Sequence, residues 1–128
     1  MDITFSLVTE KTLEQAVADL KLALPKVGFG VLWELSFKQK LQEKGVDFSG
    51  EFHVLEVCNP HEAKRVLEEE IEIGFFLPCK MAIYVKDGQT RIGMPKPTAL
   101  MSMIGNDKLL TIAQGVEDSL KQAIEAAI

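Results

Sequence analysis

A chain of 128 residues with 47% hydrophobic and 26% charged residues suits one globular domain with its own core. The net charge of -5 excludes a surface built to neutralise phosphates, so nucleic acid is not an expected partner. No apolar run approaches the roughly 18 residues that cross a bilayer, and Met1-Asp2-Ile3-Thr4-Phe5 has neither the basic flank nor the apolar stretch of a signal peptide. This composition predicts a cytoplasmic chain with no membrane partner, whose two cysteines remain thiols.

Ile3, Phe5 and Leu7 alternate with Thr4 and Ser6, which predicts a half-buried first strand. Thr12-Leu13-Glu14-Gln15 has capping-box spacing, with Thr9 as a competing cap. The helix after it carries Leu13, Ala16, Val17, Leu20 and Leu24 on one stripe and closes at Pro25 and Gly28. Residues 29–35 read as a second strand. Alternation groups Phe29, Val31, Trp33 and Leu35 on one face, which places Trp33 in the core, away from any site. Ser36 caps a short helix with Phe37 and Leu41 inward, Lys38, Lys40 and Lys44 solvated, and Gly45 at its end.

Residues 51–57 form the next strand, with Phe52, Val54, Glu56 and Cys58 on one face and His53, Leu55 and Val57 on the other. Asn59 has N-cap chemistry and Pro60 suits the first helical position, so Asn59→Ala is expected to lose about 1 kcal/mol. A helix through Ala63, Val66 and Leu67 leads into an extended apolar crossing over residues 73–78. Strands at 81–85 and 90–94 meet through Asp87-Gly88, a hairpin signal. Pro95 and Pro97 stop the sheet. A short apolar helix at 98–104 ends at Gly105-Asn106, and Asp107 caps a last helix whose inner stripe holds Leu109, Ile112, Val116 and Leu120. The order β-α-β-(α)-β-α-β-β-α-α predicts a single α+β domain over 1–128, a mostly antiparallel sheet with helices packed against it. A ferredoxin-like two-layer sandwich is the nearest named arrangement.

The two cysteines, in Cys58-Asn59-Pro60 and Leu77-Pro78-Cys79, each fall where a regular element meets a connection. Cys58 immediately precedes a helix, whose unpaired N–H groups lower a thiol's pKa; a small buried side chain is the plainer reading. Whether Cys79 returns to the same end of the sheet depends on how residues 73–78 run. His53 and His61 are the only histidines, and strand parity sets His53 against Cys58, so no zinc site is expected. Met81, Met94, Met101 and Met103 read as core or interface filler rather than copper ligands. There is no glycine-rich phosphate loop and no Gly-x-Ser-x-Gly elbow. Glu56 shares parity with Cys58 and is read as strand-edge exposure rather than a proton acceptor. No metal and no cofactor are expected.

Gly28-Phe29-Gly30-Val31, Cys58-Asn59-Pro60 and Ile73-Gly74 with Leu77-Pro78-Cys79 together resemble the family called domain of unknown function 302. The resemblance spans residues 5–97, leaves the segment from Thr98 on outside it, and departs at Lys80, where a small polar residue is expected. It implies a small bacterial or archaeal α+β domain and brings no activity.

The chain therefore reads first as a binding domain for a small molecule, its pocket rimmed by Cys58, Asn59, Pro78 and Cys79. The alternatives are a thiol-dependent enzyme or redox protein, with Cys58 as nucleophile and Cys79 as resolving thiol, and a non-enzymatic interaction protein. A homodimer is expected, because Met94, Leu100, Met101, Met103 and Ile104 crowd one short segment. Met101 or Met103 then lies at the interface; the rival is that this segment lids the pocket.

Overall fold

The computed structural model describes residues 2–128; Met1 lies outside the described residues. The strands are β1 (Thr4–Thr9), β2 (Gly30–Ser36), β3 (Phe52–Cys58), β4 (Cys79–Lys86) and β5 (Gln89–Pro95). The helices are α1 (Leu13–Ala23), α2 (Phe37–Glu43), α3 (Pro60–Glu69), α4 (Pro97–Ser102) and α5 (Asp107–Ala127). Two 3-10 turns, Leu24–Val27 and Ile71–Phe76, follow α1 and α3. Among the described residues, no helix is long and apolar enough to cross a membrane.

One sheet carries the fold, in the order β1-β5-β4-β3-β2, and every neighbouring pair is antiparallel. The expected α+β class is observed. The strand order departs from the ferredoxin-like analogy, whose split βαβ units place parallel strands side by side. Alternating directions make β1 and β2 run the same way at opposite edges, so α1 must cross the whole sheet to join them. Asp87 and Gly88 take φ of 53° and 75°, the left-handed pair that a tight hairpin between β4 and β5 requires.

One face of the sheet is covered by α1 and α5. Leu20 and Leu24 from the first helical segment and Leu120 and Ile124 from α5 are fully buried against Leu55, Met81, Ile83 and Ile92 of the central strands. Buried alanines on both helices (Ala16, Ala23, Ala123 and Ala127) keep their bulk small and let the layer sit close. Lys11 donates to the Ala127 carbonyl at 2.9 Å and so caps the C-terminal end of α5.

The local caps form as expected at Thr12, whose Oγ1 accepts from the Gln15 N–H, and at Ser36, whose Oγ accepts from the Gln39 N–H. Three expectations are corrected. Asn106, not Asp107, caps α5: its Oδ1 accepts from the N–H groups of Lys108 and Leu109, and Asp107 becomes the first helical residue. The crossing after α3 is not extended but coils as the Ile71–Phe76 3-10 turn, with Ile73 buried. Trp33 is not in the core. The β2–β3 register slips between Val31 and Trp33, so Leu32 is an extra residue and Trp33 pairs with Glu56 on the uncovered face, 50% exposed.

Candidate functional site

The α3 connection decides where the two cysteine motifs meet. Ten residues of α-helix carry the chain roughly 15 Å away from the end of β3. Six residues of 3-10 turn, running back, recover about 12 Å. The chain thus re-enters the sheet where it left: Val57 is the register partner of Cys79. Of the two routes open from sequence, the structure takes the one that brings the motifs together.

Both cysteines are free and half-buried. Cys58, Asn59, Pro78 and Cys79, the four residues expected to rim a site, all line one small cleft of about 40 Å³. Asn59 is occupied as the α3 cap, its Oδ1 accepting from the N–H groups of His61 and Glu62 at 3.1 and 3.3 Å. Its amide packs on Gly28, where φ is +89° and an added Cβ would sit 3.0 Å from Asn59 Nδ2. Gly28 therefore serves twice, as the left-handed stop after α1 and as the flat surface under the motif. Burial, and secondarily the neighbouring Cys58, push the Cys79 thiol up to about 11. Cys79 is therefore a neutral, apolar-behaving thiol at physiological pH.

Beside this cleft lies a larger cavity of about 430 Å³, which shares Leu77, Pro78 and Cys79 with it. Its inner wall is α5, through Leu109, Ala113 and Leu120; its outer wall is the 3-10 turn, through Ile73, Phe75 and Phe76. Leu100 and Met101 of α4 close a third side. Leu109 and Leu120 are fully buried, whereas Phe75 is 83% exposed, so the cavity runs from the core to an aromatic rim. Its charged lining residues are Glu56 and Lys80, register partners across β3 and β4. Ladder parity turns both side chains toward the sheet face opposite α5, so they edge the cavity rather than point into it.

Met101 is buried within the chain and forms part of this wall, whereas Met103 is 77% exposed. The short α4 is held by a residue that sequence reasoning missed. Lys96 supplies no side-chain cap. Instead Glu117, 4% exposed on α5, accepts from the Thr98 N–H at 3.1 Å and the Thr98 hydroxyl at 2.6 Å, and lies 3.2 Å from Lys121 Nζ. Burial pushes the Glu117 carboxyl up, but the Thr98 donors and Lys121 outweigh it and hold the carboxyl below its ordinary range. A glutamate among Ala113, Val116, Leu120 and Ile124 on an apolar stripe is the signal that could have found it. A second tie joins α5 to α3, where Glu69 accepts from Asn106 and lies 3.2 Å from Lys108.

His53 is not part of this end; its Nε2 lies 3.0 Å from Glu34, on β2. Among the described residues, no group of three or more His, Cys, Asp or Glu is gathered as a metal site would need.

The model of the family Domain of unknown function DUF302 matches residues 5–127. The chain belongs to this DUF302 family. The match continues through α4 and α5, so the expected limit at Pro97 was too short: the helices that wall the cavity are part of the family's unit. The crystal structure of an uncharacterized conserved DUF302 protein from Bacillus stearothermophilus is similar over 100% of both chains, with 41% identity and a TM-score of 0.95. No curated protein matches the chain.

Proposed function

We propose that this DUF302 domain binds a small apolar molecule in the cavity between the Ile71–Phe76 turn, α4 and α5. The single observation that carries the reading is the cavity itself. About 430 Å³ falls within the range of small-molecule sites, and apolar walls with a few polar groups at one end are their usual chemistry. The neutral Cys79 thiol adds a soft, weakly polar surface on the sheet side. In a reducing cytoplasm both thiols would persist.

The runner-up is the thiol-dependent enzyme, favoured by the convergence of Cys58 and Cys79 on one cleft. Its weakness is Cys79, whose thiol is pushed up rather than down, the wrong direction for a thiolate at neutral pH.

Titration with anilinonaphthalene sulfonate tests the first reading. The native chain should bind it with enhanced emission, and Ala113→Trp, which projects an indole into the cavity, should bind at least roughly tenfold more weakly while keeping the native circular dichroism. A native chain that does not bind, or a filled variant that binds equally well, sinks it. Rapid alkylation of Cys58 by iodoacetamide at neutral pH would instead favour the enzyme.

A further inference from the structure

We propose that the sheet face left bare by α1 and α5 is a homodimer interface, covered by a second copy of this chain. An antiparallel sheet with one solvated face normally turns polar side chains outward. Here the outward positions of β2, β3 and β4 hold Trp33, Leu35, Phe52, Ala82 and Tyr84, around Val54, which its own chain already buries. The Phe52 and Tyr84 rings stack at 5.5 Å, and Phe37 of α2 meets Phe52 edge-on at 5.8 Å. Trp33 stands 50% exposed on the same face, level with Glu56. Such a platform buries itself in associating proteins.

The charges on this face complement themselves. The ladder registers place Glu56 on β3 level with Lys80 on β4, and Arg91 on β5 level with Tyr84 on β4. Between these two rows runs a third, of small residues: Ser6, Gly93, Ala82 and Val54. Glu56 and Arg91 are therefore diagonal opposites about Ala82. A twofold axis lying in the interface through Ala82, perpendicular to the line from Glu56 to Arg91, sets Glu56 of each copy over Arg91 of its partner, so the contact forms twice, as an isologous interface demands. This interface uses the sheet face rather than α4, where Met101 is already enclosed within its own chain.

Sedimentation velocity of the full chain over a micromolar concentration series tests the interface, with Trp33 emission, the only tryptophan signal, read at each concentration. The expected result is a dimer whose Trp33 emission moves to shorter wavelength as it forms. Glu56→Arg or Arg91→Glu alone should weaken association roughly tenfold or more, and the two together should restore it. Tyr84→Lys, remote from the cavity, should also yield monomers with native circular dichroism. A native chain that stays monomeric overturns the proposal. So does a dimer indifferent to Tyr84→Lys with no Trp33 shift, or a double charge swap that folds yet fails to restore association.

Discussion

Replacing Glu117 by alanine is expected to lower stability by about 2–3 kcal/mol, read as a shift in the urea midpoint without a change in slope. The loss is larger than for an ordinary helix cap because three groups depend on one carboxylate. The Thr98 N–H and hydroxyl lose their acceptor in a site that water does not reach easily, and Lys121 loses its partner. The first turn of α4 should fray, so amide exchange there should accelerate more than in α5. Because Leu100 and Met101 wall the cavity, affinity for the apolar probe should fall in the same variant.

The pH dependence has a definite sign. The Glu117 carboxyl titrates lower in the folded chain than in the unfolded one. Its contribution is therefore fully present above the unfolded-state pKa and is lost as pH falls through the folded-state value. The stability gap between the native chain and Glu117→Ala should be widest near neutrality and should close only in acid, below the ordinary carboxylate range. A gap that stays constant through that acid window would show that packing, not the ionised carboxylate, holds α4.

What could be read from sequence was what depends on near neighbours. Thr12, Ser36 and Asn59 announce their helices because a cap is satisfied by N–H groups two or three residues away. The Asp87-Gly88 hairpin is as local. Errors began where a single residue shifts a count. Alternation through residues 29–35 put Trp33 inside, and one bulged residue at Leu32 turned it out. Residues 71–76 alternate Ile-Glu-Ile like a strand, yet they coil, because the chain must return to Cys79 over a short distance. The cysteine pair was legible as a candidate site but not as a convergence, since that rests on the cancelling lengths of α3 and the turn. The cavity was not legible at all: α5, α4 and the crossing make it jointly, across some fifty residues of chain by the element limits.

Gly93→Val should be the more damaging of the two substitutions. Gly93 pairs with Ser6 across β1 and β5, and with Ala82 across β5 and β4. A Cβ built there lies 2.9 Å from the Phe5 carbonyl oxygen and 2.9 Å from the Ser6 Cβ. One of those atoms is backbone, so no rotamer change relieves the clash; β1 itself must move. As an edge strand, β1 has only β5 to hold it in the ladder. Its side chains Phe5 and Leu7 pack on the core, and Lys121 stands 5.1 Å over the Phe5 ring. Displacing the strand thus loosens its hydrogen bonds, the Phe5 packing and the cation–π contact together. The expected loss is about 3 kcal/mol, with Gly93→Ala nearer 1–2 kcal/mol, the upper and middle range for overpacking. Amide exchange localises the damage: residues 4–9 should lose protection in Gly93→Val while the β3–β4 ladder keeps it. Unchanged protection across β1 would mean that the strand tolerates the extra carbons and that Gly93 is not what sets its close approach.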